Sequence, residues 1–547
     1  MACRFPGLAG PDSLEDLAEM KSLLAVSAKD WPRQWMKEGR KMTWPGQVLS
    51  KRPILIRLAL FASLAAWLAF APAALAESKD KPKATAQQLL QDPHVVEAIG
   101  LLEAWVEAEL AYRRLPGLSM AVVYDQDVIW SKAFGYADLE GKRPATTETI
   151  YSICSISKLF TSIGVMQLRD EGKLRLDDSL SDHIPWLEIR QEHSQAGPAT
   201  VEAILTHSSG LPRESAHSYW SGPDFLFPSR QEIIQGITSQ STLYPASTFY
   251  QYSNLGLTLA GELIIQASGL SYQDYARRKI LAPLGLHSTT PELPLQEQGK
   301  RLAVGYGVLD RQGKRPKLPI FQARGIAPAA GYASTVEDLA RFASWQFRLL
   351  EKGGQEVLKA NTLREMQRVH WVDPDWSAHR GLGFGVWRGE DKTFVGHGGS
   401  CPGFRSQLSL DTQGKVAAVF MTNAMGVNVG LFTSRSHQIL GTALLEAAES
   451  DSKAKAVDPA FAAYVGLYRS AWGEGVVLPW EGDLALLSLP SDDPLDSLTR
   501  FKHQQGHVFR RLREDGELRE EIRFEVDPSG QAVRLWQHGN FMQKVAK

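Results

Sequence analysis

The sequence predicts an α/β (α+β) domain with an inserted helical lobe, followed by a small all-β domain. Three observations carry that expectation. Strand-like apolar runs lie at both ends of residues 93–448, with a mostly helical stretch between them. A short polar break, ESDSKAKAVD, follows at 449–458. Beyond it the pattern changes to short apolar runs separated by turn residues. Helical spacing of apolar residues against period-two or short continuous runs is what distinguishes these regions.

Composition excludes several classes. The 547 residues allow two to four domains, at about 100–200 residues each. Sixty Lys and Arg against 61 Asp and Glu leave no overall field to attract nucleic acid. A hydrophobic content of 44% argues against wholesale disorder. Three Cys are too few for a disulfide scaffold, and no Cys/His cluster has zinc-site spacing. Gly-x-Ser-x-Gly, His-Glu-x-x-His and Gly-x-x-x-x-Gly-Lys are all absent, which removes α/β-hydrolase triads, zinc proteases and P-loop enzymes.

Taken in order, the chain opens on a targeting segment, 1–76. Its uncharged run at 58–76 is preceded by Lys51, Arg52 and Arg57 and ends on Ala74-Leu75-Ala76. This reads as an export signal cleaved after Ala76, placing the protein in a periplasm or outside the cell. An uncleaved membrane anchor is the alternative. Met42 would begin a signal of ordinary length, so the residues before it read as an over-extended start. Residues 77–92 read as a linker, 95–110 as a helix, and 118–124 with 128–136 as a hairpin turning at Asp125-Gln126-Asp127. Strands are expected at 383–387, 393–395, 404–410 and 416–422, then a closing helix at 429–448. These distant strands should belong to one sheet. In residues 459–547, runs at 476–480, 484–489, 508–512, 522–526 and 533–536 read as a small β-barrel, with Trp472, Trp480 and Trp536 in its core.

Three motifs carry chemistry. Ser155-Ile156-Ser157-Lys158 opens a helical apolar segment, so the i and i+3 side chains share a face and the amine reaches the hydroxyl. A serine oxygen needs a neighbouring base, and a lysine of lowered pKa can be one. The motif alone is unspecific: Ser78-Lys79-Asp80-Lys81 and Ser452-Lys453-Ala454-Lys455 match it in polar linkers. Tyr252-Ser253-Asn254 follows 97 residues after Ser155, before another helical segment. It offers a proton-shuttling phenol and a substrate-holding amide, or merely a buried Tyr with an Asn cap. His397-Gly398-Gly399-Ser400 ends a strand-like run, where glycines permit close backbone approach and Ser400 N–H is free to join an oxyanion hole. An ordinary glycine turn is the plain alternative.

In that order the three motifs resemble the serine β-lactamase and penicillin-binding superfamily. The likeness is greatest to its class C-like branch of DD-peptidases, D-aminopeptidases and esterases. Pro116-Gly117-Leu118-Ser119, Leu205-Thr206-His207-Ser208-Ser209-Gly210-Leu211-Pro212, Ala330-Gly331-Tyr332-Ala333-Ser334 and Pro402-Gly403-Phe404 resemble that family as well. The resemblance covers about residues 93–447. It implies an antiparallel sheet flanked by helices plus a helical lobe, a β-lactamase/transpeptidase-like fold. It also implies an acyl-enzyme hydrolase without cofactor or metal, taking a small-molecule ester, peptide or β-lactam-like substrate. Ser155 would be the nucleophile, Lys158 its activating partner, Tyr252 a proton shuttle or base, and Asn254 a substrate and Lys ligand. His397 would stand for the third motif's cation, and Ser155 and Ser400 N–H groups for the oxyanion hole. Which of Lys158 and Tyr252 is the base stays open.

The third motif departs from β-lactamases, where Lys-Thr-Gly is usual. A histidine at 397 is expected to be only partly charged at neutral pH, and Gly398 and Gly399 bring no hydroxyl. That favours an esterase or D-peptidase over a β-lactamase; a catalytically silent binding module on the same fold is the other alternative. Cys154 and Cys401 fall beside the site and read as buried free thiols rather than a disulfide. His207 reads as structural. Tyr464-Val465-Gly466-Leu467-Tyr468 resembles the start of the lipocalin-like β domains appended to some of these hydrolases.

Overall fold

The computed structural model describes residues 84–389, 391–449 and 455–546. The expected targeting segment, the start of the 77–92 linker and the middle of the 449–458 linker lie outside them. Within the described residues no helix is long and apolar enough to cross a membrane. A short helix, Ala86–Leu89, capped by Thr85, already occupies part of the expected first linker.

Helix α1 (Pro93–Tyr112) starts where Asp92 accepts a hydrogen bond from His94 N–H at 2.9 Å, with Pro93 in the first turn. Strands β1 (Gly117–Tyr124) and β2 (Asp127–Asp138) form the expected antiparallel hairpin. The helical lobe supplies α2 (Ser157–Asp170), α3 (Asn254–Ser268) and α4 (Val336–Lys352). The chain then returns to the sheet with β3 (Gly385–Gly389), β4 (Lys392–Cys401), β5 (Phe404–Asp411) and β6 (Val416–Thr422). The closing helical stretch begins at Val429–Ser436, widens through His437–Gly441 and ends at Thr442–Glu449.

The sheet has nine strands. Its order is Arg143–Pro144, β2, β1, β6, β5, β4, β3, His379–Arg380, Trp371–Val372. The two ends of the domain meet at the β1–β6 pairing, with Leu118 opposite Thr422 and Tyr124 opposite Val416. Distant sequence therefore joins at the middle of the sheet rather than at its edges. Side chains alternate between two cores. Ala121, Val123, Leu408 and Val419 face the lobe and pack with Ile153, Leu159 and Phe160. Met120, Val122 and Phe420 face the terminal helices and pack with Trp105 and Phe432. Each fully buried large apolar side chain of this kind contributes about 1.5–3 kcal/mol. The lobe-side core seats the turn before α2, on which the site is built.

The C-terminal residues form a closed antiparallel barrel of eight strands, from Gly466–Ser470 to Asn540–Lys544. Three of those strands were not legible as apolar runs. In Leu498–Gln505 only Phe501 is buried, and Gly466–Ser470 buries only Tyr468. Asn540–Lys544 buries none of its residues fully. None of the three tryptophans is in the barrel core: Trp472 sits at the hairpin tip between two strands and is 96% exposed, Trp480 is half-buried against the core on the α1 side, and Trp536 is half-buried beside Phe541. The barrel docks on α1, away from the lobe. Trp105 Nε1 donates to the Ser491 carbonyl at 2.7 Å, and the Glu97 carboxylate accepts from the N–H groups of Glu481 and Gly482.

Candidate active site

Ser155 lies in a single 3-10 turn, Cys154–Ile156, that runs into α2. Cys154 has φ +51°, a left-handed conformation that costs a non-glycine residue about 1–3 kcal/mol. The fold holds it there with a disulfide between Cys154 and Cys401, at the end of β4. This corrects the expectation of free thiols. The two sulfurs meet because β4 passes directly beside the nucleophile turn, a contact that 247 residues of separation conceal. At Gly399 a Cβ would come within 2.3 Å of the Ile153 carbonyl oxygen, so only glycine lets the strand approach this closely.

Lys158, one turn on, is completely buried. Its Nζ lies 3.2 Å from Ser155 Oγ, 2.8 Å from Asn254 Oδ1 and 2.7 Å from the Ala329 carbonyl oxygen. Burial pushes its pKa well below the usual lysine range, while Glu214 pulls it upward and Arg213 downward. A neutral amine has two hydrogens and one lone pair. The two carbonyl oxygens accept only, so they take both hydrogens and leave the lone pair for the Ser155 O–H.

Ser253, not Asn254, caps α3: its hydroxyl accepts from Gly256 N–H at 2.8 Å. The Asn254 amide is thereby free to bridge. Its Nδ2 donates to both Glu214 oxygens at 2.9 and 3.0 Å, which fixes Oδ1 toward Lys158. Tyr219 also donates its hydroxyl to Glu214. Burial raises the Tyr252 pKa, partly offset by its hydrogen bond with Ser155, so this phenol keeps its proton at neutral pH. The His207 ring stacks on Tyr252 with centroids 4.3 Å apart, and His207 Nδ1 accepts from Ser253 N–H at 3.1 Å. His207 thus shapes the Tyr252 turn without facing substrate.

Strand β3 pairs with β4 only from Lys392 to Gly396. Among the described residues, the edge of β4 away from β5 has no strand partner from His397 to Cys401, and the Ser155 turn lies along it. His397 donates from Nδ1 to the Gly398 carbonyl at 2.6 Å. Burial pushes its pKa down to about 3, and the Lys158 and Arg380 nitrogens add to the effect. His397 is therefore a neutral imidazole, and the cationic role expected of it does not fall to this side chain. A cavity of about 600 Å³ opens over these groups. Ser155, Tyr252, Asn254, His397, Gly398, Gly399 and Ser400 all line it, and Lys158 sits beneath.

The beta-lactamase family model matches residues 102–438. The chain belongs to the beta-lactamase family. Curated relatives include "Beta-lactamase-like protein 2" of Dictyostelium discoideum, 25% identical over 77% of this chain and 79% of that protein. "Penicillin-binding protein 4" of Amycolatopsis lactamdurans is 27% identical over 60% of this chain and 85% of its own. Among solved structures, the octameric penicillin-binding protein homologue from Pyrococcus abyssi aligns with a TM-score of 0.56, at 24% identity. It spans 82% of this chain and all of that one, a likeness of fold.

Beta-lactamase-family folds are of serine hydrolase type, and the site here adds residues that the motif reading passed over. Arg213 and Glu214 directly follow the Leu205–Pro212 segment already singled out, so adjacency was the available signal. Arg213 stacks over the Tyr252 ring at 4.9 Å and pairs with Glu214 at 3.2 Å. Trp220, Phe225, Tyr250 and Arg405 also line the cavity and belong to no motif.

The buried neutral imidazoles make a stability prediction. His397 and His437 are held down to about 3 and about 4, the latter also by burial. Their unfolded-state value is about 6.5, so below it the unfolded chain binds more protons. Stability should then fall as pH drops from about 6.5 toward 3, by about 2 kcal/mol at pH 5 for His397 alone. Urea midpoints at pH 7 and pH 5 should differ accordingly, and His397→Gln should narrow the difference. Equal midpoints at both pH values would contradict it.

Proposed function

We propose that this chain is an exported serine hydrolase that works through an acyl-enzyme on an ester or a D-amino-acid-containing peptide. The observation that carries the reading is the buried Lys158 amine, with two fixed acceptors and its third contact on Ser155 Oγ. Lys158 takes the Ser155 proton as Oγ attacks the substrate carbonyl carbon. The N–H groups of Ser155 and Ser400 receive the developing oxyanion. Tyr252, a protonated phenol on Ser155, gives its proton to the leaving oxygen or nitrogen. Water then attacks the acyl carbon, its proton restores Tyr252, and the departing Ser155 oxygen recovers the proton held by Lys158.

The apolar run 58–76 supports export, and the names of the penicillin-binding relatives support a β-lactam-like substrate class. The neutral His397 and the hydroxyl-free Gly398 weigh against a β-lactamase, since neither supplies the charge or donor that a β-lactam carboxylate needs. The test is hydrolysis of p-nitrophenyl acetate and butyrate by the wild type and by Ser155→Ala. Turnover lost in the variant is expected. Equal, near-blank rates in both would replace the hydrolase with a binding module.

A further inference from the structure

The Glu214 carboxylate lines the cavity, yet its acceptor positions are filled from within the protein. Both oxygens take a hydrogen bond from Asn254 Nδ2, Arg213 Nε lies 3.2 Å from Oε1, and the Tyr219 hydroxyl donates to Oε2. A carboxylate so engaged has little left to offer a substrate. The segment that carries it is tied to the start of α3. The Pro212 carbonyl accepts from the Ser253 hydroxyl at 2.6 Å, and the Arg213 carbonyl accepts from Asn254 N–H at 2.7 Å. The Glu214 carbonyl accepts from Gln240 Nε2 at 2.9 Å. Backbone and side chains together hold Glu214 against Asn254.

The orientation of the Asn254 amide decides what Lys158 can do. An amide donates at one end and accepts at the other, whereas a carboxylate only accepts. Glu214 therefore admits the NH2 end alone and turns Oδ1 to Lys158, 2.8 Å away. Turned the other way, the amide would present an N–H to the amine. A neutral amine has one lone pair, which Asn254 would then take from the Ser155 O–H. We propose that Glu214 is a positioning residue: by locking the Asn254 amide it reserves the Lys158 lone pair for Ser155. This deepens the hydrolase reading and rests on it. Glu214 is also the carboxylate whose charge reaches Lys158. Among the described residues, the other groups around the amine are the Arg213 cation, the Tyr252 phenol 4.8 Å away, and the uncharged His207 and His397, which Arg380 also faces. A glutamine at 214 removes both effects, since two facing amides pair in either orientation and carry no charge.

The test uses Glu214→Gln and Glu214→Asp, with p-nitrophenyl acetate as substrate across pH. Glu214→Gln should lower the kcat/KM plateau by about 10- to 100-fold, part of what a general base contributes. Its acid limb should move to lower pH, because the charge that draws the Lys158 pKa upward is gone. A merely structural loss would admit water to the buried amine and move the limb to higher pH. Glu214→Asp keeps the charge and only accepts, so its limb should stay near the wild-type position and its plateau should fall less. The chain has five asparagines, so selective 15N labelling reads the Asn254 side-chain amide by NMR without turnover. In the wild type its Nδ2 protons should lie downfield and exchange slowly, and Glu214→Gln should shift them and speed their exchange. A Glu214→Gln plateau at the wild-type level, a limb moved to higher pH, or an Asn254 amide indifferent to the substitution would overturn the proposal. A wild type without turnover whose Asn254 amide still depends on Glu214 would defeat the hydrolase reading and leave the orientation lock standing.

Discussion

Ser155→Ala, Lys158→Met and the double variant are expected to fall to the same residual ester hydrolysis, at least about 10³-fold below wild type. Without Lys158 the Ser155 proton has no base within reach among the described residues, because Tyr252 is itself protonated and the other amine contacts are carbonyl oxygens. Nucleophile and base act as a unit, so the two losses should not add. The pH profile separates this from a structural defect. Wild-type kcat/KM should rise with pH through the lowered Lys158 pKa and then level, since only the neutral amine accepts a proton. The same displacement acts on stability. Between the folded-state and unfolded-state lysine pKa values the unfolded chain holds the extra proton, so this group makes the fold more stable as pH rises through that window. Steady-state kinetics from pH 5 to 10 check the first point. An activity that falls as pH rises across the neutral range, or a double variant far below both single ones, would contradict it.

The second large effect is expected from the disulfide. Cys154 and Cys401 adjoin the two residues whose N–H groups are assigned to the oxyanion, Ser155 and Ser400. The bond also closes a long loop and holds Cys154 in its left-handed conformation. Cys401→Ser should therefore cost about 2–5 kcal/mol of stability. Its kcat should fall by about 100- to 1,000-fold, the range that follows when one oxyanion donor is lost. Both sulfurs are buried, so dithiothreitol should act on the native protein slowly and on the partly unfolded protein quickly. Thermal denaturation and ester kinetics of Cys401→Ser check both effects. A variant with wild-type Tm and wild-type kcat would show that the strand and the turn hold each other without the bond.

What the sequence made legible was local. The i, i+3 spacing of Ser155 and Lys158 places both at the start of one helix, whatever surrounds them. The Asp125 hairpin and the run at 416–422 were visible because half-buried and buried strands leave their own patterns. The charge of His397 was not legible, because it depends on burial beside Lys158 and Arg380 from other elements. The disulfide depends on how closely β4 passes the nucleophile turn, which Gly399 permits without announcing. Glu214 acts through Asn254, 40 residues away along the chain. Strands such as Leu498–Gln505 escaped notice because one buried Phe501 makes no periodic signal.

The central claim is that Ser155 becomes acylated. The most direct measurement is mass spectrometry of protein quenched in acid during p-nitrophenyl acetate turnover, followed by peptide mapping. The account predicts one acetyl group, carried on the peptide that contains Ser155 and absent from Ser155→Ala. An acetyl group on another residue, or turnover with no adduct at any quench time, would contradict it.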